Sequence, residues 1–276
     1  MNQQINLQND GYIVYHRQLS HLELEILDIE YKQFFDKGKL LLKNVYEMDS
    51  SLEKYYKENI DELIVVPEVS SPLSICRIEY LSGYSKTFKD NITNMVQDVI
   101  SGIMKEPFLL FKDKCNLKLP GGGEFGPHQD IAAYMYFKIN YFVTAAIALD
   151  DSTIQNGCLE VAYDYQKVMQ NFTTIKTKFG SFPIFDFYQC GQNNGDIINE
   201  VADKFRWQKI EMKRGDIVFF DSFIPHKSEK NNSPNQRRIF FLTFNPACYG
   251  DIYQKYYETK KNDFNNPVFH ISTPTG

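Results

Sequence analysis

The stretch DIVFFDSFIPHKSEKNNSPNQRRIFFLTF, residues 216–244, holds two apolar runs, IVFF and IFFLTF, on either side of a polar bend that carries Pro225, His226 and Pro234. Runs this short, rich in β-branched and aromatic residues and bounded by Asp, Asn and Pro, read as strands rather than helices. The same texture extends back to residue 107. PFLLF, CNLKL, EFGPHQD, YFVTAAIAL, CLEVA and WQKIEM are further strands, and KRGD at 213–216 is a tight corner before DIVFFD. Upstream the pattern changes. After a short apolar strand, YIVYH, the segment SHLELEILDIEYKQFFDKG opens with the capping-box spacing of Ser20 and Glu23 and is expected to end as a helix at Gly38. Ile92, Met95, Val96, Val99, Ile100 and Ile103 form one apolar stripe over 90–104, a second helix. Strands in this number after two helices predict a mainly β, single-domain fold over residues 1–276. Its core is a double-stranded β-helix (jelly-roll, cupin-like) at about 107–246, with flanking N-terminal helices as a buttress at about 18–105 and a C-terminal tail at 247–276. Residues 163–206 lack a strong period and read as a long insertion over the barrel mouth.

Composition narrows the function classes. A net charge of −5 lacks the Lys/Arg surplus that nucleic acid or an anionic membrane requires, so neither is expected as a partner and a small-molecule substrate is. The five cysteines are odd in number, widely spaced and without a CxxC pair, as expected of reduced thiols. The start MNQQINLQNDGY has neither the basic nor the apolar region of a signal peptide, and no apolar run reaches the ~18 residues of a membrane span. A cytoplasmic protein is expected. Nothing in the sequence speaks to oligomeric state.

In GGGEFGPHQDIAAY, residues 121–134, His128 and Asp130 are two apart, which on a strand would put both on one face. Alone, the pair fits a metal site or a surface His–Asp contact. His16, His21 and His270 read as surface residues, whereas His226 follows a buried strand and a Pro corner that would place it at the rim of the same barrel. Two imidazoles and one carboxylate on one face of an octahedral ion leave three positions open, the ligand set of non-haem Fe(II) oxygenases. Arg237, eleven positions after His226, offers a planar fork for a cosubstrate carboxylate, and Ser228 a hydroxyl. Gln129 should face away from the two ligands. The glycines at 121–123 and 126 allow a tight turn; no GKS/T follows to make a phosphate loop. Tyr134 and Tyr136 read as core before pocket, and Arg77 and Tyr80 as either anion contacts or packing residues.

The ordered motifs GGGEFGPHQD, NGCLEVA at 156–162 and PHKSEKNNSPNQRR at 225–238 resemble the phytanoyl-CoA dioxygenase family of Fe(II)/2-oxoglutarate oxygenases, which shows HxD, NGCL, and HxS followed by an Arg eleven after the distal His. The resemblance implies that His128, Asp130 and His226 bind Fe(II) and that Arg237 and Ser228 hold the far carboxylate of 2-oxoglutarate. The KLPGGGEFGPHQD segment and TFNPACYGDIYQKYYETKK look most like bacterial members acting on small aminophosphonates, the 2-aminoethylphosphonate dioxygenase-like group. By that analogy Asn116 and Lys118 point towards the cosubstrate. Where relatives commonly read NGCLExxPGSH, this chain has NGCLEVAYDYQK, a departure on the substrate side. The implied activity is hydroxylation of an unactivated C–H of a small polar substrate with O2, releasing succinate and CO2. Alternatives are a hydroxylase of an amino-acid or natural-product intermediate, a cupin-type isomerase or O2-only dioxygenase, and a non-catalytic cupin-like binding module. The isomerase and O2-only classes usually carry more histidine ligands and have no need of Arg237.

Overall fold

The structure is a computed structural model that describes residues 3–15, 19–68, 71–185 and 196–269. Its strands are β1 (Tyr12–Tyr15), β2 (Ile64–Glu68), β3 (Ser71–Glu79), β4 (Phe108–Lys118), β5 (Phe125–His128), β6 (Val143–Ala148), β7 (Leu159–Ala162), β8 (Thr174–Thr177), β9 (Gly180–Pro183), β10 (Trp207–Ile210), β11 (Ile217–Asp221), β12 (His226–Ser228) and β13 (Arg237–Pro246). Two antiparallel sheets make the jelly roll: a seven-stranded sheet ordered β1-β11-β6-β13-β4-β3-β2 and a four-stranded sheet ordered β10-β7-β12-β5. A cavity lies between their inner faces.

Several boundaries differ from the sequence reading. PFLLF and CNLKL are one strand, β4, because the polar residues between them continue the ladder to β13 from Phe108 to Lys118. EFGPHQD leaves the sheet at His128, and Asp130 instead immediately precedes the short helix Ile131–Tyr134, without a capping hydrogen bond. The region expected to be a helical buttress also supplies β2 and β3, which extend the large sheet beyond β4. Gly38 does not end the first helix, which runs from His21 to Glu47 behind the expected Ser20/Glu23 capping box. A Cβ on Gly38 would sit 3.1 Å from Ile75 Cδ1 and 3.2 Å from Val65 Cγ2, so the glycine is where this helix meets β2 and β3. Its buried face, Leu27, Tyr31, Phe34, Leu41, Leu42 and Val45, has the three-and-four spacing of an amphipathic helix.

The second helix forms as expected. A π-helical segment, Lys89–Thr93, leads into Asn94–Met104, and Ile92, Val96, Ile100 and Ile103 are buried. The KRGD corner is closed by Asp216 N–H donating to Lys213 O (2.9 Å) and Lys213 N–H donating to the Asp216 carboxylate (2.8 Å). The C-terminal tail is structured: the helix Tyr253–Asn262 buries Tyr256, Tyr257, Lys260 and Lys261. Within the 163–206 insertion, β8 and β9 pair as a hairpin, and residues 186–195 lie outside the described residues. Among the described residues no helix is long and apolar enough to cross a membrane.

Candidate active site

His128 and His226 lie side by side on adjacent strands of the four-stranded sheet. They are direct register partners on β5 and β12, with ring centroids 4.2 Å apart. Position 226 reaches this sheet through a bend between β11 and β12, in which the Asp221 carboxylate accepts from Phe223 N–H (2.8 Å) and Ile224 N–H (2.9 Å) and carries the chain from the large sheet to the small one. Asp130 joins the pair from the first turn after β5, its Oδ1 3.9 Å from His128 Nε2. One donor atom from each of the three lies within 4.8 Å of the others. The expectation that the sheet pleat alone aims His128 and Asp130 together is therefore corrected: a strand end and a helix start do it.

Both rings are oriented from behind. His128 Nδ1 lies 2.8 Å from Gly126 O and His226 Nδ1 3.1 Å from Ile224 O. A hydrogen on Nδ1 donated to each carbonyl leaves Nε2 as a lone pair, the arrangement that supports a metal-bound imidazole. Burial and the adjacent His226 pull the His128 pKa down to about 3, and burial lowers that of His226. Burial opposes ionisation of Asp130, but His226, Lys114 and Lys112 outweigh it and hold the carboxyl below its ordinary range. At neutral pH the cluster is thus two neutral imidazoles and one carboxylate, already in the protonation state that a divalent cation requires.

The intervening Gln129 turns outward, as expected. Its amide donates to Pro183 O (3.1 Å) and to Phe223 O and accepts from Phe185 N–H (2.9 Å), tying the motif to the insertion and to the bend before His226.

Arg237, Ser228 and Asn116 line the same cavity as the three ligands. Arg237 is 2% exposed; Nη1 donates to Gly157 O, while Nε is buried with no partner. No carboxylate pairs with it among the described residues, and burial draws its pKa down to about 10. A guanidinium stranded this way is costly unless an anion joins it, so the cavity fits a carboxylate-bearing molecule beside a cation held by the His–Asp cluster. Lys118, expected to point at the cosubstrate, lies one layer back. Its ammonium donates to Ser228 Oγ (2.9 Å), Ser228 O (3.2 Å) and Glu229 O, and burial together with Arg237 lowers its pKa to about 6.

The NGCL motif builds the support for this pocket. Asn156 Oδ1 accepts from Thr153 N–H (2.7 Å) and its amide donates to Asp151 O (2.8 Å), which forms the turn. Gly157 follows with φ +73°, and a Cβ there would lie 2.0 Å from Glu229 O, so only glycine can present its carbonyl to Arg237. The sequence signal for this was present in NGCL, but the residues were read only as a motif.

Among the cavity residues that escaped the sequence reading are two cations of β4. Lys112 and Lys114 project inward from β4 in step with Asn116, and Lys114 pairs in register with Glu79 of β3 and Phe241 of β13. Burial lowers both pKa values, that of Lys114 to about 7. Of the uncertain residues, Arg77 and Tyr134 line the cavity. Tyr80 does not: β3 ends at Glu79, and the Tyr80 hydroxyl donates to Gln254 (3.1 Å) on the C-terminal helix. Tyr136 is 54% exposed and packs beside Phe137 and Phe269. His21 is at the surface near Glu25 (3.2 Å), while His16 and His270 lie outside the described residues.

Comparison with known proteins supplies the chain's relatives and its family. The chain is 34% identical over 189 residues to methylphosphonate hydroxylase of Gimesia maris, covering 68% of this chain and 65% of that protein. It is 31% identical over 193 residues to 2-aminoethylphosphonate dioxygenase of the uncultured bacterium HF130_AEPn_1, covering 69% of this chain and 66% of that one. The matched region therefore spans a little under two thirds of the length of either relative. Among solved structures, EctD from S. alaskensis with 2-oxoglutarate and 5-hydroxyectoine superposes with a TM-score of 0.62 over 90% of this chain and 76% of that one, at 18% identity, which establishes the jelly-roll fold. The family model for phytanoyl-CoA dioxygenase (PhyH) matches residues 7–239, and the chain belongs to that family.

Proposed function

We propose that this protein is an Fe(II)- and 2-oxoglutarate-dependent dioxygenase that hydroxylates a small phosphonate. The observation that carries the reading is the convergence of His128, Asp130 and His226 on one point of a cavity that also holds the unpaired guanidinium of Arg237. The two phosphonate-acting relatives support the substrate class.

His128 and His226 would hold Fe(II) through Nε2 and Asp130 through a carboxylate oxygen, leaving the remaining positions to cosubstrate and O2. Bound iron supplies the oxidising chemistry, in which 2-oxoglutarate and O2 become succinate and CO2 and a substrate C–H becomes C–OH. The chain's own groups do the positioning. Arg237 receives the C5 carboxylate of 2-oxoglutarate in its fork. Ser228 lends a hydroxyl, itself oriented by Lys118 (2.9 Å). Asn116, whose Oδ1 is buried without a partner, stands between that pocket and the cations further along β4. Phe125, Phe220 and Phe241 wall the cavity and exclude bulk water, which strengthens the charge interactions inside it.

The test is succinate formation from 2-oxoglutarate with Fe(II) and O2 across methylphosphonate, 2-aminoethylphosphonate, free amino acids and an acyl thioester. Phosphonate-dependent succinate above the uncoupled background is expected. Failure of every phosphonate, together with no detectable 2-oxoglutarate binding to the Fe(II)-loaded protein, would overturn the reading.

A further inference from the structure

We infer that Arg77, Lys112 and Lys114 form a cradle for a doubly charged anionic head group, and that this cradle is where a phosphonate substrate docks. The assignment of the cavity as a dioxygenase site comes from the proposed function above; the cradle itself rests on the arrangement of these cations.

All three side chains line the cavity that holds His128, Asp130 and His226. They come from adjacent strands of the large sheet, on β4 two and four positions before Asn116 and on β3 directly opposite it, where Arg77 pairs with Asn116 in register. Arg237 opens β13 opposite Lys118, at the other end of the same inner face, so the two anion sites are separated along the strands.

The cations are only partly spoken for. Arg77 is 5% exposed; Nε lies 2.9 Å from Glu79, but Nη2 is buried with no hydrogen-bond partner. Glu79 is shared with Lys260, which donates to both of its oxygens (2.7 and 2.8 Å). Lys112 lies over the rings of Tyr134 (4.6 Å) and Tyr256 (5.7 Å), and Lys114 over Phe241 (5.4 Å); neither forms an ion pair among the described residues. Basic side chains thus outnumber the two carboxylates near them, Glu79 and Asp130, and an anion is what the cluster lacks. A planar fork and two ammonium groups converging from neighbouring strands suit three phosphonate oxygens better than a planar carboxylate, which offers only two. Docked there, a small phosphonate would bring its adjacent carbon toward the metal ligands.

Calorimetric titration of methylphosphonate and, separately, of 2-oxoglutarate into the anaerobic Fe(II)-loaded protein tests the cradle. Lys112→Met and Lys114→Met are the primary variants, since both side chains are partly exposed and tolerate loss of charge better than the ion-paired Arg77. Each is expected to weaken methylphosphonate binding about 10- to 100-fold, as for loss of one charge-assisted hydrogen bond, while leaving 2-oxoglutarate affinity within about twofold of the parent. Acetate, the singly charged analogue, should bind the parent protein more weakly and respond little to either change. Unchanged methylphosphonate affinity in both variants, or no methylphosphonate binding to the parent protein, overturns the cradle. Loss of 2-oxoglutarate binding in the parent would instead count against the dioxygenase reading, and the phosphonate titration would still decide the cradle on its own.

Discussion

The two sheets divide the work of the cavity by length. The four-stranded sheet contributes its polar groups from strands of three and four residues and from the turns that follow them, and these are the metal-binding candidates. The seven-stranded sheet contributes from β4 and β13, eleven and ten residues long, with cations spaced along a ladder that shifts register once, between Thr243 and Phe244. Three ligands must close on one point within a few ångströms, and short segments with independent turns can be adjusted one at a time to do that. An elongated diacid and a separate anion need charges spaced along a line, which the pleat of a long strand supplies without adjustment.

Removing a ligand from the short sheet is the severest way to break this division. His226→Ala or Asp130→Ala should reduce turnover to background and abolish stoichiometric Fe(II) binding, with the melting temperature held within about 5 °C, because the side chains open into a cavity rather than into the packed core. A large cooperative loss of fold would show that the small sheet depends on them for stability. On the long sheet, Arg237→Ala should raise the 2-oxoglutarate requirement about 10²- to nearly 10⁴-fold, the equivalent of the roughly 3–5 kcal/mol lost when one partner of a buried ion pair is removed. Normal cosubstrate affinity in that variant would refute its role.

Glu79→Gln sharpens the comparison from the stability side. It leaves Arg77 and Lys260 buried without their shared carboxylate and should cost about 3–5 kcal/mol in denaturant unfolding, with iron binding retained. An unfolding curve that matches the parent would mean that the cations find water or one another's partners instead. The smallest effect is expected of Ser228→Ala, which removes one hydroxyl from the carboxylate pocket and one acceptor from Lys118. A three- to tenfold rise in the 2-oxoglutarate KM, with kcat unchanged, corresponds to the ~1 kcal/mol of a single hydrogen bond.

Much of the candidate site was legible because its residues are rare and ordered: five histidines in the chain, one of them followed at a fixed interval by an arginine, and one followed by an aspartate. Lys112 and Lys114 of β4 were not. Their alternation, Lys112, Lys114, Asn116 and Lys118 against Phe111, Asp113, Cys115 and Leu117, is the pattern of a strand with one wet face, and sequence reasoning sends the polar face to solvent. Here it faces a charged cavity, and the other face is the one packed against the body of the protein, with Phe111, Asp113, Cys115 and Leu117 all buried. A similar inversion hid the role of Gly38. A glycine late in a helical pattern reads as a stop, yet two β-branched side chains from a hairpin far along the chain occupy the space its side chain would fill. Strand β2 and the C-terminal helix were missed for want of local signal; β2 is held by its hairpin partner β3, and the helix by Asp113, far back in the sequence.

Gln129 gives the motif a further meaning. The residue between the two ligands binds no metal, but it is fastened to Pro183 and Phe185 of the insertion and to Phe223 of the bend leading to His226. The three candidate metal ligands are therefore linked through one amide to the β8–β9 hairpin region and to the bend before His226. A side chain that never faces the cavity thus fixes the spacing between the strand end and the bend that bring 128, 130 and 226 together.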